Sequence, residues 1–206
     1  GKLFHFNGMA VEGGWHDLAL LMRESNDNGA TWTNPRVIAP KHGFGNMPIS
    51  STFRRADGAI CVPCDAVPGA NGGSLLHISK DDGKSWLLPS RGKPVPTFSS
   101  GKSGARIAGI HTGVDQWIDG SIVAIGRGDA ISDRMPLSIS RDGGVSWTYS
   151  ASPFPPIAGG QRAVLRRLRE NVLMLVSFTK GSTFSSDTGT RFQGQGMFAA
   201  LSEDGG

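Results

Sequence analysis

Short apolar or alternating runs, each closed by turn-forming residues, recur along the chain. They include Ala59–Val62, Leu75–Ile78, Ser121–Ile125, Leu137–Ile139, Val172–Phe178 and Met197–Leu201. Runs of this length between Gly, Asp, Asn and Pro read as β-strands. The stretch Ala163–Glu170 fits a helix as well as a strand, and its place in the series favours a strand. Almost no helix is expected. The 30 glycines and 12 prolines are spread without low-complexity tracts, which fits many tight turns rather than disorder.

One motif punctuates these runs. Ser25-Asn-Asp27-Asn-Gly29-Ala-Thr31-Trp32 reads S-x-D-x-G-x-T-W, and Ser79-Lys-Asp81-Asp-Gly83-Lys-Ser85-Trp86 repeats it. Ser140-Arg-Asp142-Gly-Gly144-Val-Ser146-Trp147 is a third copy, and Ser202-Glu-Asp204-Gly-Gly206 begins a fourth. The four serines are 54, 61 and 62 residues apart. Each residue type suits a hairpin tip. Ser and Asp oxygens accept backbone N–H bonds within the turn, and glycine supplies a positive φ. The small hydroxyl residue resumes the strand, and the tryptophan is expected to return into the apolar layer.

This motif is the Asp box, or BNR repeat, and on it the chain resembles the sialidase superfamily along essentially its whole length. The resemblance implies an all-β fold, a β-propeller of four-stranded antiparallel blades, six-bladed if complete. About three to four blades are expected here, approximately over 1–40, 46–96, 106–156 and 160–206. A closed ring at about 60 residues per blade needs roughly 360 residues. The chain opens on Gly1 and its last motif stops at Gly206, so it reads as part of a longer protein whose targeting signal lies elsewhere. A secreted, periplasmic or cell-surface setting follows from the resemblance alone. In that family the boxes are structural, so Asp27, Asp81, Asp142 and Asp204 are not read as catalytic carboxylates.

A second series of turns sets the register between units. Asp57-Gly58 and Asp119-Gly120 each separate two strand-like runs, and Glu170-Asn171 fills the same role in the last unit. Eight residues before these turns stand Ile49, His111 and Arg162, and eight residues after them Asp65, Arg127 and Phe178. In an up-and-down blade the first and third turns share one end. The boxes and the Asp-Gly turns therefore belong at one end, and His111, Arg162, Arg127 and Asp65 at the other. The second-to-third connections, roughly 66–74, 128–135 and 179–196, are expected as loops rimming that mouth.

The resemblance gives this end its chemistry. Sialidases hold the sugar carboxylate with clustered arginines, whose planar forks match a carboxylate in two hydrogen bonds. Arg127 and Arg162 are the candidates for that role, with His111 as a hydroxyl or proton partner. Glycoside hydrolysis needs proton donation to the leaving oxygen, for which Asp17, Asp65 and Asp129 are candidates. Asp133 is a further general-acid candidate beside Asp129, and the pair His16-Asp17, at the same end, is another acid/base candidate. Arg54 and Arg55 fall near the other end.

Two family features are missing: there is no Arg-Ile-Pro type opening, and the one tyrosine, Tyr149, falls just past a box, away from the mouth. The reading is a sialidase-like glycoside hydrolase, an exo-α-sialidase acting on terminal anionic sugars. The alternative is a non-catalytic BNR-repeat propeller that binds glycans or proteins, and a third is a carbohydrate-active enzyme using a carboxylate pair.

Composition narrows this further. The net charge of +4, with a pI near 9.4, is modest and unclustered, and no basic run interleaved with aromatics points to nucleic acid. No apolar run reaches membrane-spanning length. The single Cys61-x-x-Cys64 lacks the second ligand pair of a zinc site, and residues three apart on a strand face opposite ways, so both read as ordinary thiols. The boxes lack the ligand ladder of a calcium loop. No metal and no cofactor is expected. The tripeptide Arg127-Gly128-Asp129 is read as a chance match to an adhesion motif.

Overall fold

The computed structural model describes residues 1–10, 14, 17–43, 45–49, 52–65, 72–157, 160–186 and 188–204, with 40–43 and 184 described by backbone alone. His16 and the last two glycines of the fourth box lie outside them. All regular structure among the described residues is β, arranged in four antiparallel sheets.

The first sheet runs β1 (Leu3–Ala10), β2 (Leu18–Ser25), β3 (Arg36–Gly43). In the second, β4 (Met47–Pro48) and β5 (Phe53–Arg54) both pair with β6 (Ile60–Asp65), which also pairs with β7 (Ser74–Ser79). The third comprises β8 (Ser103–Gly104), β9 (Ile110–Gln116), β10 (Ile122–Arg127), β11 (Pro136–Ser140) and β12 (Trp147–Ala151), in the order β9-β10-β11-β12-β8. The fourth is β13 (Val164–Arg167), β14 (Leu173–Ser185), β15 (Arg191–Ser202). Every strand-like run read from the sequence overlaps one of these strands, and within Ala163–Glu170 residues Val164–Arg167 are strand (β13) while Arg169 and Glu170 form the following turn.

The sheets are less uniform than four strands each: they hold three, four, five and three. In the second sheet the innermost line is divided into β4 and β5, and the outermost shrinks to the Ile78–Leu87 bridge. In the third, the connecting segment adds β8 outside β12. The region 179–196, expected as a loop, is mostly ladder. A bulge between Thr179 and Ser182 lets β14 and β15 continue as a long hairpin.

Three apolar layers hold the sheets face to face. Leu20, Ala39, Ile60, Val62 and Cys64 join the first to the second. Phe53, Cys61, Leu76, Ile107, Ile122 and Trp147 join the second to the third. Val123, Ile125, Leu137, Leu165, Leu173 and Leu175 join the third to the fourth. Alternating in-facing residues of neighbouring sheets are the ordinary source of such layers. The inner strands β9 and β13 pack closely at Gly113, where a methyl group would lie 2.4 Å from the Leu165 nitrogen. Both cysteines are buried free thiols in these layers, and burial pushes the Cys61 thiol up to about 12.

Each box closes through the same bonds. Ser25 Oγ donates to Asp27 at 2.7 Å and accepts from Gly29 N at 2.8 Å, while Thr31 donates through N (2.9 Å) and Oγ1 (2.5 Å) to the same carboxylate. Ser79, Asp81, Gly83 and Ser85 repeat this set, as do Ser140, Asp142, Gly144 and Ser146. In the fourth box Ser202 Oγ donates to Asp204 at 2.7 Å. Gly29, Gly83 and Gly144 all have positive φ, and Gly83 and Gly144 also press on the preceding sheet, near Met22 and Leu76.

The tryptophans diverge. Trp147 is buried and Trp86 packs edge-on to Phe6, but Trp32 is 41% exposed. Trp86 and Trp147 pack against the sheet preceding their own, whereas Trp32 meets His5 of its own sheet edge-on. The expected return of that ring into an apolar layer is therefore corrected.

The boxes also predict an acid response. Hydrogen bonds from the Thr31 hydroxyl and amide draw the Asp27 carboxyl down to about 2, and those of Ser85 do the same to Asp81. A carboxyl lowered by folding stabilises the fold above its ordinary value of about 3.9, and that contribution is lost as pH falls towards 2. The melting temperature should hold steady from pH 7 to 5 and fall between pH 4 and 2. The Asp27→Asn/Asp81→Asn double variant should show a smaller acid-induced fall.

Candidate functional site

The three first-to-second turns close through the same hydrogen bond, as the register requires. Arg55 N donates to Ala59 O, Trp117 N to Ser121 O and Leu168 N to Val172 O, at 2.8–2.9 Å, with Gly58, Gly120 and Asn171 at positive φ. These turns lie with the boxes. Arg55 donates to Gly143 O at 2.6 Å and Arg54 to Asp82 at 2.8 Å, while Arg141 reaches Asp119 at 3.6 Å.

At the opposite end, the close of β6 meets the opening of β9. Asp65 ends β6 with its side chain fully buried, and His111 is the second residue of β9 with a side chain 12% exposed. Both carboxylate oxygens lie against the histidine: Oδ1 accepts from His111 N at 2.7 Å, and Oδ2 lies 2.6 Å from Nδ1. The two are close without a hydrogen bond between them: neither Oδ2 nor Nδ1 has a hydrogen-bond partner among the described residues. Ser74 Oγ adds a long bond to Oδ1 at 3.4 Å and a firmer one to Gly109 O at 2.8 Å. His111 carries φ +50°, a conformation uncommon for a residue with a Cβ. Such a backbone persists only where its surroundings over-determine it, and it clusters at functional sites.

Arg127 closes β10 opposite Ile110, the neighbour of His111. Burial lowers its pKa first, the Asp65 carboxylate opposes that, and the Arg162 guanidinium lowers it further. Arg127 and Arg162 are thus close enough to feel each other's charge. Arg162 is exposed, and the amide of the next residue, Ala163, donates to His111 O at 3.4 Å. With Phe6, Asn7, Met47 and Pro48, Arg162 also lines an open groove that reaches Gly14 and Leu18. Asp17 lies between those two in the chain, half-buried, its amide on Gly14 O.

Asp129 has a different setting. Its oxygens accept Gly72 N and Gly73 N, both at 3.1 Å, and Gly109 N at 3.2 Å. Burial raises its pKa against those bonds. It ties the start of β7 to the start of β9, beneath His111. Asp133 is exposed in the 131–134 turn. Tyr149 is 2% exposed, donates its hydroxyl to Arg106 O at 2.7 Å and packs edge-on to Phe98. Burial pushes its phenol up to about 12.

Four candidates thus converge: Asp65, His111, Arg127 and Arg162. Sequence reasoning missed the approach of Asp65 to His111, and the bonds of Ser74 Oγ behind it, to Asp65, to Gly109 O and to Thr112 Oγ1 at 2.9 Å. The pair joins two different repeat positions on two different sheets, so a register within one unit does not reveal it.

The repeats, the sheets and the paired turns are those of a known domain type. A family model described as a BNR repeat-like domain matches residues 1–177. The chain belongs to that family. No curated protein matches it. Solved structures with the same fold as this BNR repeat-like chain include a protein of unknown function from Dyadobacter fermentans, at 18% identity and TM-score 0.53, covering 94% of this chain and 50% of that one. The NanB sialidase of Streptococcus pneumoniae matches at 15% identity and TM-score 0.53, over 85% of this chain and 28% of that one. The Trypanosoma rangeli sialidase, in complex with the inhibitor DANA, matches at 16% identity and TM-score 0.54, over 98% and 35%. The chain spans half or less of the length of these structures. At such identities the likeness is one of fold, and the fold is sialidase-like.

Proposed function

We propose that this chain is part of a sialidase-like glycoside hydrolase acting on terminal anionic sugars, an exo-α-sialidase. In this reading its four sheets are blades of a propeller, over roughly 1–40, 46–96, 106–156 and 160–206, that closes with six. The observation that carries it is that Arg127, paired through its backbone with Ile110, and Arg162, whose neighbour Ala163 donates to His111 O at 3.4 Å, both stand around the Asp65–His111 pair, at the end away from the boxes. Two like charges held within electrostatic reach favour an anion between or beside them, and a bidentate guanidinium–carboxylate bond fits an acid sugar.

Charge-assisted bonds of this kind contribute about 1.5–3 kcal/mol each. Arg127→Ala and Arg162→Ala should each weaken binding of N-acetylneuraminic acid about tenfold or more, read by calorimetric titration. Their melting temperatures should stay close to that of the unsubstituted chain, and the full-length protein that contains this chain should release sialic acid from a fluorogenic sialoside. Loss of binding and of folding together in both variants would remove the assignment.

The sequestered Tyr149 favours a second reading, a non-catalytic BNR-repeat propeller that binds glycans or proteins. Saturable binding of the acid sugar without turnover would select it.

A further inference from the structure

We propose that a cavity of the fourth sheet, at the level of the mouth, is a second sugar site, which holds the neutral pyranose that carries the terminal acid sugar. The proposal rests on the anionic-sugar reading above and adds a place for the sugar on the other side of the glycosidic bond.

The cavity measures about 460 Å³ and is lined by Ile157, Gln161, Phe178, Thr179, Lys180 and Gln195. That volume lies within the range of small-molecule sites. Ile157 and Phe178 belong to the apolar layer between the third and fourth sheets. Phe178 stands eight residues after its turn, as Asp65 and Arg127 do after theirs, and so marks the level of the mouth on β14. Gln161 immediately precedes Arg162, which lines the groove along β1 and β4. Cavity and groove therefore flank a single peptide link, and the Cα atoms of these two residues are about 3.8 Å apart. Successive sugars of a glycan are spaced by a step of the same order. An acid sugar held by Arg162 in the groove has its neighbour within reach of Gln161.

A break in the strand ladder stands at this cavity. Thr179 pairs with Gly196 and Ser182 with Gly194, so Lys180, Gly181 and Gln195 fall between rungs. Lys180 and Gln195 are both lining residues. Bulges re-aim side chains in this way and are common beside active sites. This one is held by its own bonds: Thr179 Oγ1 and Ser182 Oγ lie 2.7 Å apart, and Gly181 N donates to Thr179 Oγ1 at 3.2 Å.

The lining has the chemistry of a pyranose site. A sugar ring offers apolar C–H faces and hydroxyls that both donate and accept. Ile157 and Phe178 supply apolar surface for the first. The amides of Gln161 and Gln195 each supply two donors and an acceptor oxygen for the second, and Lys180 adds further donors. These three polar side chains are exposed and make no hydrogen bond or ion pair among the described residues, so the fold does not employ them. The acid group already has Arg127 and Arg162 at the mouth, whereas amides and a hydroxyl dominate the polar lining here. The second sugar is accordingly assigned as a neutral one.

The test titrates the full-length protein that contains this chain, by calorimetry, with two kinds of sulfur-linked ligand that resist hydrolysis. One is the methyl α-thioglycoside of N-acetylneuraminic acid, and the other is S-linked 3′- or 6′-sialyllactose. At least one sialyllactose should bind about tenfold or more tightly than the methyl thioglycoside. Gln161→Ala and Gln195→Ala should each weaken that sialyllactose about two- to tenfold, the range for losing one neutral hydrogen bond, and leave the methyl thioglycoside within twofold. Both residues are exposed, so the melting temperature should hold, and Gln193→Ala, on the same hairpin with its side chain on Thr183, should change neither affinity. Arg162→Ala should weaken both ligands alike. Equal affinity for the two ligands in the unsubstituted protein would overturn the second site while leaving the acid-sugar site standing. So would glutamine variants that lose both ligands equally or neither. Binding of neither ligand would remove the acid-sugar site and the second site with it.

Discussion

Trp147→Ala lowers stability by about 3–5 kcal/mol, the range for truncating a fully buried tryptophan. The ring is 1% exposed and sits in the layer joining the second and third sheets, against residues of both. For a domain of this size that corresponds to a fall in melting temperature of roughly 6–20 °C, measurable by calorimetry. The informative comparison is with the other boxes. Trp32 occupies the same motif position but is 41% exposed, touching His5 edge-on and its own turn through Nε1 on Gly29 O. Trp32→Ala should cost under about 1 kcal/mol, in the usual range of surface changes. Trp86→Ala, half-buried against Phe6, should fall between the two. Equal costs at all three positions would show that the motif itself, rather than the layer behind it, sets the energy.

Gly109→Ala is the second large effect, and it reaches the site. Gly109 has φ +85°, and an added methyl would stand 2.8 Å from Gly126 Cα, 2.9 Å from Gly126 C and 3.0 Å from Arg127 N. All three are backbone atoms with no rotamer to yield. The left-handed conformation and the overlap together should cost about 2–4 kcal/mol. Because the same backbone carries His111 two residues on and presses on Arg127, binding of N-acetylneuraminic acid should weaken at least tenfold as well. Gly120→Ala is the control. It has φ +90° with nothing within 4 Å, so it incurs only the conformational cost of about 1 kcal/mol and leaves binding intact. Similar stability losses in the two variants, with binding unchanged, would show that the close approach of Gly109 to Gly126 does not position the site.

The strand pattern and the box spacing made the sheets legible. Period-two runs bounded by Asp, Gly and Asn have few other solutions, and β6, β7, β10, β11, β14 and β15 fall where those runs lie. The box bonds were legible for the same reason, since they are made within eight residues. Strand counts were less so: the short β4, β5 and β8 depend on pairings with distant segments, and the bulge at Thr179 turns an expected loop into a hairpin.

The sequence by itself determined the repeat, the two ends of each sheet and the residue types at the mouth, because each follows from local turn chemistry and a register counted along one unit. Tertiary structure alone decided which of those residues meet. Asp65 and His111 are 46 positions apart and on different sheets, so only the packing of one sheet against the next brings a carboxylate within 2.6 Å of an imidazole. The same packing withdraws Asp129 into a backbone cradle and buries Trp147 while leaving Trp32 exposed. Local bonds are written in neighbouring residues, whereas partners across an interface are fixed by distances that no single segment encodes.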